Sequence, residues 1–121
     1  MWDDEIGVST SLSPKFPNIS VPYGSLVPVG LDGVLGAGRH ISCDANSHSF
    51  LREIPQCWMT GHAAGIGAAL AANSGIQPRE VSTQLIQRQL LEQGAYLSPS
   101  IANALDAQDA NNNSAMAVAT G

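Results

Sequence analysis

Large aromatic side chains are scarce in this chain: Phe, Trp and Tyr make up 5% of its 121 residues. Aromatics dominate core burial per residue, and much of the 44% apolar fraction is alanine. The apolar count would suffice for a core, yet its quality argues against a self-sufficient chain. Basic residues are as sparse, five Lys plus Arg against ten Asp plus Glu for a net charge of -5. With the cations spread singly, no basic stripe can neutralise a run of phosphates, so nucleic acid is excluded as an expected partner. Cys43 and Cys57 stand fourteen positions apart with no CxxC and no histidine at ligand spacing. Neither a zinc site nor a disulfide framework is indicated, and two free thiols suit a reducing compartment.

Long apolar runs are missing too. The stretch from Cys57 to Ala72 contains His62 and three glycines, and it falls short of the ~20 strongly apolar residues that a membrane span requires. The amino terminus, Met1 to Glu5, is acidic where a signal peptide needs positive charge. No span and a cytoplasmic location are therefore expected, and Met1 suggests a separately translated chain.

Along the sequence, residues 1–18 are polar and broken by Pro14 and Pro17, which reads as an extended arm. Ile19 to Val29 is extended, with Pro22 and Pro28 allowing at most an edge strand. Val34–Ala37 is a short apolar run between turn residues, the look of a strand buried on both faces. Residues 40–54 read as a polar loop. Pro55 then suits the first turn of a helix running to about Asn73 and stopping at Ser74-Gly75. Glycines 61, 65 and 67 inside it cost ~1 kcal/mol each relative to alanine, so something must approach the backbone closely. A second helix starts near Pro78, with Val81, Leu85, Ile86 and Leu90 on one side, Gln84, Gln87, Arg88 and Glu92 opposite, and an end at Gly94. Residues 98–110 suggest a short helix, followed by a loop or disordered tail from Asn111. The division is thus an arm over 1–18, a main segment over 19–97, and a short helix with a flexible tail over 98–121.

The glycines do not form a phosphate-binding fingerprint. Gly65-x-Gly67 lies inside a helix and Gly33-x-x-Gly36-x-Gly38 has the spacing reversed, whereas a dinucleotide site needs a strand, a tight turn and a helix start. What remains is the helix start at Pro55-Gln56-Cys57, whose N–H groups and partial positive charge suit an anionic or carbonyl oxygen.

Four ordered pieces, Ile19–Pro28, Val34–Ser42, His48–Cys57 and Gly61–Ala71, resemble the carboxy-terminal part of a family of FAD-dependent oxidoreductases related to fumarate reductase and aspartate oxidase flavoproteins. The similarity runs from about Ile19 to Leu97. It implies an α/β fold class: an incomplete Rossmann-like FAD-binding segment, one short buried strand plus two or three helices, that completes the FAD domain of a partner chain. The resemblance puts Gly38 and Arg39 near the ribityl and pyrophosphate region, with Ser42 also among the cofactor-binding residues. It puts Arg52, Ile54, Pro55, Gln56 and Cys57 near the isoalloxazine ring, and packs the glycine-alanine helix against the FAD-domain sheet. FAD would be shared with a larger subunit carrying the dinucleotide fingerprint that this sequence lacks, and the complex would oxidise a small-molecule substrate by hydride transfer to the flavin.

His48 is the candidate acid-base group, because histidine exchanges protons near neutrality; a hydrogen-bonding fixture is the plainer alternative. Arg39 could contact the cofactor or an acidic group of the partner, and Arg52 could instead brace its loop. His62 suits packing or an interchain hydrogen bond, and Cys57 reads as an inert packed thiol whose backbone matters. Two competing classes remain, a non-catalytic assembly subunit or split fragment of a flavoprotein complex, and an independent small binding module.

Overall fold

The computed structural model describes residues 3–9 and 18–120. Among the described residues the architecture is mixed α/β, four helices and a two-stranded antiparallel sheet, consistent with part of an FAD-binding domain. Strand β1, Glu5–Ser9, pairs with β2, Ile19–Pro22, which continues into a 3-10 turn over Tyr23–Leu26. Helix α1 spans Ala45–Leu51 and α2 spans Ile54–Ser74. A second 3-10 turn, Pro78–Glu80, leads into α3, Thr83–Glu92, and α4 covers Pro99–Thr120.

The segment read as an arm is therefore partly structural, with β1 stitched into the core; Pro14 and Pro17 lie outside the described residues. Glu5 pairs with Pro22 and Gly7 with Val21, so two steps along β1 match one step along β2. Such a bulge breaks the in-out alternation of a strand, and the neighbours Glu5 and Ile6 are both buried. Three donors converge on the Glu5 carboxylate: Ser20 Oγ and Ser98 Oγ, each 2.6 Å from Oε1, and Ser98 N, 2.7 Å from Oε2. Gln87 Nε2 donates to the carbonyls of Asp3 and Glu5 at 2.9 and 3.0 Å. This corrects the expected polar face of α3: Gln87 is buried and Leu85 exposed, because the strand's carbonyls need a donor there.

α2 runs as its sequence predicts. It ends on Gly75 in the left-handed conformation, φ +67°, whose N–H and that of Ile76 both bond to Ala71 O, the glycine-terminated end expected of such a motif. Its buried face carries Thr60, Ala63, Ile66, Gly67 and Ala71. The core gathers Ile6, Val21, Tyr23 and Leu26 with Ile86, Leu90, Leu97, Ile101 and Leu105.

Three further expectations are corrected. Val34–Ala37 forms no strand; Val34 is exposed, Leu35 to Ala37 are half-buried, and Gly36 N–H bonds to Leu26 O at 2.8 Å. A strand buried on both faces needs flanking strands, and among the described residues none flanks this run. The loop assigned to 40–54 contains α1, whose start is capped by Asp44 Oδ1 accepting from Ser47 N at 2.7 Å, a cap available to Asp at this spacing. The helix beginning at Pro99 runs on through Asn111–Ser114 to Thr120, where frequent alanine and the lack of Gly or Pro leave nothing to stop it.

Candidate functional site

Of the sequence-predicted residues, Gly38 and Cys57 are tied to each other at the start of α2. Thr60, buried within the second turn, joins the two: its Oγ1 donates to Cys57 O at 3.1 Å and accepts from Gly38 N at 3.1 Å. The 34–42 loop is thereby pinned to the first turns of the helix. Gly38 has φ +99°, a left-handed conformation that a side chain would disfavour, and its carbonyl accepts from Ile41 N at 3.3 Å. Sequence reasoning passed over Thr60; the available signal was a hydroxyl in the interior of a helix rich in Gly and Ala.

Glu53 is the residue before α2, and Cys57 N–H donates to its carbonyl at 3.1 Å, the first turn-closing bond of the helix. The N–H groups of Ile54 and Gln56 precede that bond, and Pro55 contributes none. Ile54 is 65% exposed and Pro55 is exposed, while Gln56 is half-buried. The Cys57 thiol faces Leu51 O at 3.7 Å and Arg52 O at 4.0 Å, a weak-donor role at the joint between α1 and α2.

Arg39 and Ser42 are exposed on the pinned loop. Arg52 caps the end of α1 and lies 3.8 Å from Glu53, both more than half exposed, a pair worth little to stability. His48 is exposed in the last turn of α1. The Asp44 carboxyl at the other end of that helix is held below the usual carboxylate range, first by the Ser47 backbone N–H and then by the Ser47 hydroxyl. His62 bonds within the chain, its Nε2 2.6 Å from Gln93 Oε1.

α2 has two contrasting sides. Gly67 faces the core, where a Cβ would meet Tyr23 Oη at 2.9 Å and Tyr23 Cε2 at 3.2 Å. Tyr23 is held by its hydroxyl donating to Pro78 O at 2.7 Å, and burial pushes its pKa up. Gly61, Gly65, Ala68 and Ala72, at helical spacing, are exposed, and a Cβ at Gly61 or Gly65 would meet nothing within 4 Å.

Beside the helix start, a groove of about 340 Å³ opens between α2, β1 and the link from α3 to α4. Its lining includes Ile6 and Val8 from β1, Pro55, Gln56, Trp58, Met59 and His62 from α2, and Leu90, Ala95 and Tyr96. β1 approaches α2 closely here: a Cβ at position 7 would run into Met59 Sδ, and that side chain would have to move.

Among the described residues no cluster of three His, Cys, Asp or Glu could hold a metal ion, and no helix is long and apolar enough to cross a membrane. Neither curated proteins nor solved structures yield a match to this chain. A family model described as FAD dependent oxidoreductase matches residues 5–90, from β1 almost to the end of α3. That span takes in both strands, the pinned loop and all of α2, and on it the chain belongs to the FAD-dependent oxidoreductase family.

Proposed function

We propose that this chain completes the flavin pocket of an FAD-dependent oxidoreductase and is active only with a partner chain that carries the dinucleotide fingerprint. The observation that carries the reading is the open small-residue stripe Gly61, Gly65, Ala68 and Ala72 on α2. Exposed glycines within a helix cost ~1 kcal/mol each, and a packed neighbour that approaches the backbone closely gives that cost a reason. The partner's sheet is that neighbour in this reading.

The residues fit one end of the cofactor. The start of α2, with Ile54 and Pro55 exposed and Gly38 tied to it through Thr60, suits the carbonyl oxygens of a flavin edge. No strand, glycine turn and helix start stand together among the described residues to cradle a pyrophosphate. Bound FAD would supply the hydride-accepting chemistry. This chain would contribute the backbone of Ile54 to Cys57 and the field of the α2 terminus, with Gly38, Arg39, Ser42 and Arg52 at the cofactor's periphery and His48 as the exposed acid-base candidate.

Co-expression with a chain bearing the FAD fingerprint, followed by co-purification and a visible spectrum, tests the proposal. The complex is expected to be yellow and the isolated chain colourless. Stoichiometric flavin on the isolated chain would remove the need for a partner. A complex whose bound flavin lies far from the α2 start would reduce this chain to an assembly subunit.

A further inference from the structure

We infer that the groove beside the α2 start binds an uncharged ligand with a flat ring face, and, resting on the function proposed above, that this ring belongs to the substrate. Trp58 is 73% exposed and Tyr96 62% exposed, and both line the groove. Large aromatic surfaces left to water carry a free-energy cost that a stacked ring removes. The groove floor is apolar, with Ile6 and Met59 among its residues.

Its charge character narrows the ligand class. Among the described residues no Lys, Arg, Asp or Glu lines the groove, and its polar side-chain groups are the Gln56 amide, the Trp58 indole N–H, the Tyr96 hydroxyl and the imidazole of His62. A carboxylate or phosphate would enter with no side-chain cation and at most the partial charge of the α2 start, and an ammonium without an anion, each giving up more hydration than the groove returns. The volume, about 340 Å³, lies at the lower end of the range for small-molecule sites, which are mostly apolar with a few polar groups that orient the ligand. His62, oriented by Gln93 at 2.6 Å, can hydrogen-bond a hydroxyl on the ring's edge.

The groove shares Pro55 and Gln56 with the helix start, so a ring held there lies next to the proposed flavin edge. This is the placement a substrate needs and a remote surface patch lacks.

Calorimetric titration of the full chain in mildly alkaline buffer with 2-naphthol and with 2-naphthoate separates charge from ring stacking, since the two probes share a ring system. Binding of 2-naphthol, with 2-naphthoate at least about tenfold weaker, is the expected result. Trp58→Ala should weaken 2-naphthol by about tenfold, and Tyr96→Ala should also weaken it, through loss of stacking. Both side chains are exposed, so folding is preserved, and far-UV circular dichroism checks this. Equal binding of the two probes, an unaffected Trp58→Ala variant, or no binding of either probe would overturn the inference, the last leaving the two aromatics to a protein contact. The titration needs no flavin. A colourless complex therefore defeats the proposed function without touching the groove, and failure to bind the probes defeats the groove without touching the flavin.

Discussion

Two alanine substitutions two residues apart on α2 should change stability in opposite directions. Gly65 sits mid-helix with open space where its Cβ would be, so Gly65→Ala gains helix propensity of ~1 kcal/mol. Gly67→Ala gains the same propensity but drives a methyl to 2.9 Å from Tyr23 Oη and 3.2 Å from its ring. The tyrosine cannot swing away without breaking its bond to Pro78 O, and overpacking a fitted site costs roughly 1–3 kcal/mol. The net effect at 67 is a loss of roughly zero to 2 kcal/mol, and the gap between the variants is about 2 kcal/mol. Urea unfolding followed by circular dichroism resolves that gap, and in thermal unfolding each kcal/mol moves the midpoint by about 3–6 °C in a domain of this size. The contact also predicts coupling: in a Tyr23→Phe background the closest clash is gone, so Gly67→Ala should cost about 1 kcal/mol less. Equal stabilisation by both alanines, with no coupling to Tyr23, would refute the packing argument. In the assembled complex the sign at 65 should reverse for a large side chain, because Gly65→Leu would hold the partner's backbone away; unchanged co-elution would remove close packing there.

Glu5→Gln should destabilise the fold by roughly 1.5–3 kcal/mol, since three charge-assisted bonds become neutral and an amide nitrogen in place of Oε1 no longer accepts from the Ser20 and Ser98 hydroxyls; a denaturation midpoint within error of wild type would contradict this. Tyr23→Phe should cost about 0.5–1.5 kcal/mol at neutral pH through the lost hydrogen bond to Pro78 O. The folded-state pKa of Tyr23 is raised by burial, so its stabilisation is complete below the unfolded value of ~10 and fades as pH rises through the folded value. Phenylalanine should therefore flatten the alkaline limb of a stability-pH curve, and an unchanged limb would count against the burial. In the FAD-bearing complex, Gln56→Glu should lower the flavin midpoint potential, because a carboxylate opposes the α2 terminus, whose field is worth about 0.3–1 kcal/mol and up to ~2 when partly buried. Spectroelectrochemistry with flavin occupancy intact would show an unchanged or raised potential if the helix start does not face the flavin.

The sequence by itself determined the elements whose signals are local. α2 is written in Pro55 at its start, a stretch free of further proline and rich in small residues, and Gly75 at its end, and the structure ends it on that glycine. The family was equally legible, because four ordered motifs carry it across the span that the family model matches. Tertiary structure decided what depends on partners distant in the chain. Glu5 and Gln87 read as solvated polar residues until β1, β2, α3 and the start of α4 converge to supply Ser20, Ser98 and two carbonyls. Thr60 gained its role only when Gly38 arrived from 22 positions away. The same dependence explains why Val34–Ala37 looks like a buried strand in sequence and is a loop here. Apolar composition records the burial a segment is suited to, whereas a strand forms only where neighbouring backbones supply its hydrogen bonds.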